Sequence, residues 1–214
     1  MSSKTDALPF PIGRTWYQGR AADLAADVAA GTLTGGEFLG RIYEVEDINY
    51  ASTATVKPLR SNARRKVMAV RNVSGATLAR KRLVSLEIST TLCVTSFDGY
   101  GWVLYQQRCY PIDEFIGTAG VADDDICWVV VEGPATCTNG AAVDTTEEIA
   151  DGDALVVKAG TSATNADAGR VVKIDTTATD LPASAHIGLV GYSMGVRLTT
   201  EVTSDILVNI RQHH

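Results

Sequence analysis

Residues 126–137, ICWVVVEGPATC, constrain the fold of this chain more than any other stretch. The stretch opens with an aromatic and β-branched run and reaches a Gly133-Pro134 pair. A short apolar run that is bounded by Gly and Pro predicts a buried strand, which we expect to end at this pair. No side chain in the stretch is typical of a catalytic residue. The run therefore predicts the central strand of a β structure.

Further strand candidates lie on both sides of this run. Before it, the candidates are residues 38–48, 57–60, 66–73 and 82–89. After it, four apolar runs separated by polar linkers occupy residues 151–160, 169–177, 185–194 and 204–212. Short strands at this spacing, with no long helical pattern between them, predict a mainly β protein that forms a β-sandwich or small β-barrel. An Asp98-Gly99 pair between two apolar runs predicts a β-hairpin.

Residues 1–36 have a different character, and we predict that they form an extended N-terminal arm. Phe10, Trp16 and Tyr17 lie among prolines and glycines, which disfavour a regular helix. Residues 20–30, RAADLAADVAA, predict one short helix. Because such a stretch buries little within itself, we expect it to order through neighbouring chains, with packing on its own core as the alternative. Residues 37–214 are then the β-rich domain, with 126–214 as its C-terminal barrel or sandwich part.

Charge is strongly segregated along the chain. Between Lys57 and Arg82 there are nine Lys or Arg and no Asp or Glu, and between Asp98 and Asp153 there are twelve Asp or Glu and one Arg. The net charge of −6 argues against nucleic acid as a partner. The basic stretch is either a solvated strand face or a surface that docks a protein, and complementary stretches suit contacts between copies. The candidate partner-contact residues are Phe10, Trp16, Tyr17, Arg60, Arg64, Arg65 and Lys66.

One motif suggests catalysis. Gly191-Tyr192-Ser193-Met194-Gly195 matches the G-x-S-x-G pattern of hydrolase nucleophiles. That pattern requires a following helix, but β-branched residues follow here, and too few residues remain to complete a triad. We therefore predict a turn between strands and no enzyme activity, with a serine hydrolase acting through Ser193 as an alternative.

The sequence predicts no metal site, cofactor or membrane segment. The cysteines Cys93, Cys109, Cys127 and Cys137 are widely spaced, and their spacing favours buried thiols over a zinc site. No apolar run approaches the roughly 20 residues that cross a bilayer. The N-terminus also lacks the apolar core of a signal peptide, so we expect a protein that is not exported.

Several segments, taken in order, resemble the capsid decoration or cement proteins of tailed bacteriophages. The segments are RNVSGATL, CYPIDEF, DDDICWVVVEGPATC, DGDALVV, AGRVVKI, AHIGLVGYSM and DILVNIR. They lie within residues 70–214. The resemblance rests on the order and texture of the segments and carries no catalytic residue.

The resemblance implies a structural virion protein on the outer capsid surface, made in the host cytoplasm. Its implied partners are the major capsid protein and further copies of itself, as a homotrimer, and exposed sheet edges also favour self-association. Its implied role is to stabilise the shell by bridging capsid subunits. The alternative within a virion is another structural part, such as a tail tube or a head-fibre base.

Overall fold

The protein is mainly β, as the sequence predicts. The computed structural model describes residues 8–16, 39–88, 95–100, 108–140, 148–158, 168–174, 189–195 and 205–211. Within these residues it contains strands and no helix. In order, the strands are β1 (Ile42–Ile48), β2 (Leu59–Asn72), β3 (Leu83–Ile88), β4 (Thr95–Tyr100), β5 (Cys109–Pro111), β6 (Ile126–Thr138), β7 (Ala154–Val157), β8 (Val171–Lys173), β9 (Leu189–Ser193) and β10 (Asp205–Ile210). The predicted helix at 20–30 lies outside the described residues.

Strand β6 is the centre of the fold. The strand order is β5-β3-β4-β2-β6-β10-β9-β7-β8, and β1 pairs with β2 beside this path. The first half of β6 pairs antiparallel with β2, from Ile126 to Glu132. The second half pairs antiparallel with β10, from Gly133 to Thr138. One strand therefore connects the two halves of the sheet.

The predicted strand end at Gly133-Pro134 is wrong, because β6 continues to Thr138. Gly133 has a φ of 96°, and the register of β2 shifts opposite this point, between Lys66 and Val67. A left-handed glycine beside a register shift bends a strand without ending it. The Gly-Pro pair thus marks the point at which β6 leaves β2 and joins β10.

Isolated bridges bring both ends of the strand path back towards β6. Ile112, just after β5, bridges to Val129 of β6, and Asn139, just after β6, bridges in parallel to Val171 of β8. The amide of Gly140 donates to the carbonyl of Val171 at 2.8 Å. Each half of the sheet is therefore barrel-like. In each half, however, only a short bridge joins the end of the strand path to the region of β6, and no continuous ladder of hydrogen bonds closes a barrel among the described residues.

The predicted hairpin at Asp98-Gly99 is also wrong. Both residues lie inside β4, and β4 and β5 pair with opposite edges of β3. Val84 shows this directly, because it is opposite Tyr100 on one side and Tyr110 on the other. Pairing of both strands with β3 replaces the local hairpin that the Asp-Gly pair favours.

The core lies on both faces of β6. Trp128 and Val130 belong to one buried cluster, and Cys127, Val129 and Val131 belong to the other. Burial on both faces explains why this strand is a continuous apolar run, where a half-exposed strand would alternate. The interpretation of the cysteines as buried hydrophobes is confirmed for Cys109, Cys127 and Cys137, which are buried, and Cys93 lies outside the described residues.

Candidate functional site: a buried ionic cluster

Five charged side chains meet where the two halves of the sheet join. Arg60 and Arg65 come from β2, Asp47 comes from β1, and Asp113 and Glu114 follow β5. We call these five residues the ionic cluster. Charged side chains are rarely buried unless they are paired, so a cluster of this kind needs a physical explanation.

Arg60 is the hub of the ionic cluster. Its Nε donates to both carboxylate oxygens of Asp47, at 3.0 and 3.1 Å, and its Nη1 donates to Oε2 of Glu114 at 2.8 Å. It also reaches β6, through Nη2 to the carbonyl oxygen of Pro134 at 3.2 Å and Nη1 to Oγ1 of Thr136 at 3.4 Å. Burial acts to lower the pKa of Arg60, but its bonds to both carboxylates outweigh burial and raise it. Arg60 therefore ties β1 and the segment after β5 to the bend in β6.

Arg65 is 1% exposed and is held by charge and by an aromatic ring. Its Nη1 lies 3.3 Å from Oε1 of Glu114 and 3.9 Å from Oδ1 of Asp47. None of its three guanidinium nitrogens makes a hydrogen bond within the described structure. The guanidinium lies 5.6 Å from the centroid of the Phe115 ring, within cation–π range. Loss of the surrounding carboxylates would therefore leave a buried, uncompensated cation.

Asp113 connects the ionic cluster to the N-terminus. It is 1% exposed, and its Oδ2 accepts a hydrogen bond from the amide of Gly13 at 2.6 Å. Its Oδ1 accepts from the amide of Phe115 at 3.1 Å. Burial raises the pKa of Asp113, and the nearby Arg65 and both hydrogen bonds oppose that rise. A buried carboxylate thus holds two backbone segments together.

The aromatic side of the ionic cluster is closed by Tyr50 and Phe115. Their rings meet edge to face, with centroids 5.4 Å apart. Burial raises the pKa of Tyr50, while Arg65 lowers it. Because these rings exclude water from one side, the charges next to them interact more strongly than they would at the surface.

The geometry of the ionic cluster suits bracing better than catalysis. Asp47 and Glu114 are held by arginines, and an arginine does not give up its proton under ordinary conditions. The described ranges contain no histidine and no group of His, Cys, Asp or Glu that could hold a metal ion. Nor do these ranges contain a helix long and apolar enough to cross a membrane.

Two of the predicted contact residues of the N-terminus, Phe10 and Trp16, lie on the chain's own domain. We call residues 8–16 the N-terminal clasp. The Phe10 ring is 8% exposed and stacks on Trp128, whose Nε1 donates to the carbonyl of Phe10 at 3.3 Å. Trp16 exchanges two backbone hydrogen bonds with Ile126, at 2.8 and 3.3 Å. Within the clasp, Phe10 and Trp16 thus pack on the chain's own core, and Tyr17 lies outside the described residues.

The predicted contact residues of β2 divide by strand face. Arg60 and Arg65 point into the ionic cluster, where they act as internal braces. Arg64 and Lys66 lie on the outer face, where Arg64 is 69% exposed and Lys66 is 39% exposed. They pair with Glu44 at 2.9 Å and Glu132 at 2.6 Å.

Part of the charge complementarity seen in the sequence is thus used inside one chain. Members of the basic stretch pair with the acidic stretch 98–153, namely Arg60 and Arg65 with Glu114, Lys66 with Glu132 and Arg71 with Asp124. Lys81 pairs with Asp205, which lies outside that stretch.

Ser193 does not have the geometry of a hydrolase nucleophile. It lies in strand β9, is 3% exposed, and its Oγ donates to the carbonyl of Gly195 at 2.5 Å. A nucleophile elbow instead presents its serine at a strand-to-helix turn. The amide of Ser193 also donates to the carbonyl of Asp153 at 2.9 Å, which fixes it in the sheet.

Sequence reasoning missed the acidic half of the ionic cluster. Asp113 and Glu114 are not among the predicted site residues, and both are buried. The usable indication is their setting between Ile112 and Phe115, because an acidic pair inside an apolar run is unusual for a surface loop. Asp47 is the third buried carboxylate. Its side chain lies on the inward face of β1, whereas Glu44 and Glu46 lie on the exposed face of the same strand.

Comparison with known proteins gives a structural similarity at low identity. No protein-family model matches the sequence, and no curated protein matches it. Among solved structures, the chain is similar to the N base of the head fibre gp8.5 of bacteriophage phi29. The identity is 12% and the TM-score is 0.39, over 69% of this chain and 99% of that one. At this level the similarity does not define a fold or a function for this chain.

Proposed function

We propose that this protein is a structural component of a tailed-phage virion, which binds the outside of the assembled capsid and stabilises the shell by bridging capsid subunits. The self-contained ionic cluster carries the proposal. Its arginines and its carboxylates brace β1, β2 and β6 against one another and leave no reactive group exposed. The segment-by-segment resemblance of residues 70–214 to capsid decoration proteins supplies the capsid as the partner.

The proposed mechanism is physical. Packaged DNA loads the seams between capsid subunits, and a protein that binds only the expanded lattice stabilises that lattice by mass action. Several weak contacts from one self-associated unit reinforce each other through effective concentration. A braced β domain suits this role, because a rigid binder loses little conformational freedom when it docks. We propose a homotrimer as the docking unit.

The outer face of β1 and β2 is the proposed contact surface. Its exposed charges alternate in sign, with Arg64 beside Glu44 and Lys66 beside Glu132. Ile42 is also exposed on this face, opposite Met68 of β2. Such a surface can exchange its own ion pairs for pairs with a partner, which favours specificity over raw affinity.

The test is equilibrium binding of the purified protein to capsids of its own phage, before and after expansion. We expect binding to expanded, DNA-filled capsids and much weaker binding to unexpanded shells. Cosedimentation at several salt concentrations measures both, and absence of binding to either shell contradicts the proposal. Electron microscopy of the bound particles then separates shell-wide decoration from attachment at fibre positions only.

A pair of variants locates the surface. Arg64→Ala with Lys66→Ala should weaken capsid binding and its salt dependence. Lys173→Ala is the matched control, because it removes a comparable ion pair, 2.9 Å to Asp153, in the other half of the sheet. Equal affinities for the two variants would place the contact surface elsewhere on the domain.

A further inference from the structure

Glu114 of the ionic cluster uses its two carboxylate oxygens unequally. Its Oε2 accepts hydrogen bonds from Nη1 of Arg60 at 2.8 Å and from the amide of Thr136 at 3.1 Å. Its Oε1 is buried and accepts no hydrogen bond from a protein group within the described structure. Nη1 of Arg65 lies 3.3 Å from this oxygen, close enough for a hydrogen bond but not aligned for one. One buried carboxylate oxygen therefore still needs a donor.

Arg65 has the opposite need, because an arginine side chain carries five N–H donors and no acceptor. Its Nε, Nη1 and Nη2 atoms are all buried, and none of them donates to an acceptor among the described residues. Its Nη1 lies 3.9 Å from Oδ1 of Asp47, which is beyond hydrogen-bond distance. Two polar atoms at this separation can both reach one bridging water.

Bulk solvent does not supply the partners that these side chains need. The exposed fractions of Arg65, Glu114 and Asp47 are 1%, 6% and 0%. Buried polar groups in proteins nearly always have a hydrogen-bond partner, either a protein group or an ordered water. The described protein supplies neither a donor for Oε1 of Glu114 nor an acceptor for Arg65. A small molecule held inside the ionic cluster is therefore the remaining source of these hydrogen bonds.

The backbone around Arg65 is irregular along both edges of β2. On one edge, the register with β1 shifts so that a single residue, Asp47, lies opposite residues 60–63 of β2. On the other edge, the register with β6 shifts directly after Lys66. Such irregularities interrupt the ladder of hydrogen bonds and bend the strand. A small molecule can fit beside Arg65 more easily than it could inside a regular sheet.

The charges of the ionic cluster determine which small molecule suits this place. Arg60 and Arg65 supply two positive charges, and Asp47, Asp113 and Glu114 supply up to three negative charges. An anion would accept from Arg65, but it would add to the excess of negative charge. A metal cation would bind the carboxylates, but it cannot accept a hydrogen bond from a guanidinium. Water accepts from an N–H group and donates to a carboxylate at the same time, so it meets both needs.

We propose that a buried water molecule bridges Arg65, Glu114 and Asp47 inside the ionic cluster. It accepts a hydrogen bond from Nη1 of Arg65 and donates to Oε1 of Glu114 and Oδ1 of Asp47. About three hydrogen bonds are usual for a buried water. Because its partners come from β1, β2 and the segment after β5, the water is part of the brace between these elements. It exchanges with solvent only when they separate.

A crystal structure of the full-length wild-type protein, at a resolution that shows ordered water, tests the site directly. We expect an electron-density peak within about 3.2 Å of Nη1 of Arg65, Oε1 of Glu114 and Oδ1 of Asp47. A guanidinium of Arg65 that donates directly to both carboxylates, with no density peak between them, overturns the proposal.

Oxygen-17 relaxation dispersion, which counts long-lived internal waters, tests the same site in solution. The double variant Arg65→Met with Glu114→Gln removes the donor and the charge of one acceptor, so it should hold at least one such water fewer than the wild type. Arg64→Met with Glu44→Gln is the matched control, because it changes the same residue types in an exposed pair 2.9 Å apart, and it should keep the wild-type count. An unchanged count in the folded Arg65 variant overturns the proposal. If that variant does not fold, the crystal structure of the wild type decides.

Discussion

Phe10 stacks on Trp128 with ring centroids 4.5 Å apart and planes inclined by 17°, although 118 residues separate the two in sequence. The stack joins the N-terminal clasp to the central strand β6. Phe10 and Ile12 belong to the same buried cluster as Trp128. The clasp is therefore part of the hydrophobic core of the domain.

Phe10→Ala should lower the free energy of unfolding by about 3–5 kcal/mol, the usual loss for a buried Phe. The substitution removes the stack on Trp128 and leaves a cavity over β6. Urea denaturation followed by tryptophan fluorescence measures the change. Val56→Ala is the control, because Val56 is 83% exposed and should change stability by less than about 0.5 kcal/mol. A small effect of Phe10→Ala would mean that the clasp orders through another chain.

The positions of the strands could be predicted from the sequence because they depend on local pattern. The alternation in β1 and the apolar runs of β7 and β10 are visible within ten residues of sequence. The order of the strands in the sheet depends on pairing between residues far apart in the chain, so it cannot be predicted from local pattern. The Asp98-Gly99 pair shows the limit of local pattern. Its sequence favours a turn, but the structure has β4 and β5 paired with the two edges of β3 instead.

The ionic cluster could be predicted only in part, for a related reason. The sequence shows that basic and acidic stretches are separated and complementary. It does not show that Arg65 points inward while Arg64 points outward, because a register shift in β2 and the course of β6 determine the facing of these side chains. The burial of Asp113 is not visible in the sequence either, because its side chain contacts Gly13 of the clasp, 100 residues away along the chain.

Arg65→Met should lower the free energy of unfolding by about 3–5 kcal/mol, because it leaves Glu114 and Asp47 buried with less positive charge. Adding Glu114→Gln should recover part of this loss, since both members of one ion pair are then neutral. Thermal or urea unfolding of the four proteins gives the coupling energy, which we expect to be about 0.5–3 kcal/mol.

The exposed pair on the same strand is the control for this cycle. Arg64→Met and Glu44→Gln, alone and together, should change stability little, because water and salt screen that pair. Equal coupling in the exposed and buried pairs would contradict the assignment of Arg65 as a buried brace.

Gly133→Ala should destabilise the protein more than an ordinary glycine substitution. A Cβ at Gly133 would lie 2.5 Å from the carbonyl oxygen of Arg64, and its φ of 96° is strained for alanine. Gly152→Ala separates the two effects, because Gly152 has a φ of 84° but no atom within 4 Å of the position that a Cβ would occupy. We expect about 1–2 kcal/mol from backbone strain at Gly152 and a larger loss at Gly133. Equal losses would mean that the bend of β6 tolerates a side chain.

The buried thiols should report opening of the core. Burial raises the pKa of Cys109 to about 12, and it also raises the pKa values of Cys127 and Cys137. With an ordinary thiol pKa near 9.0, a shift to about 12 lowers the thiolate fraction of Cys109 by about a thousandfold.

In a Cys93→Ser background, we therefore expect the buried thiols to react with a disulfide reagent only at the rate of unfolding, and to react completely in denaturant. Adding Phe10→Ala should accelerate labelling of the native protein, because the clasp and its stack on Trp128 cover the cluster that contains Cys109 and Cys137. Fast labelling of the native protein without that substitution would show that the core is open to solvent on its own.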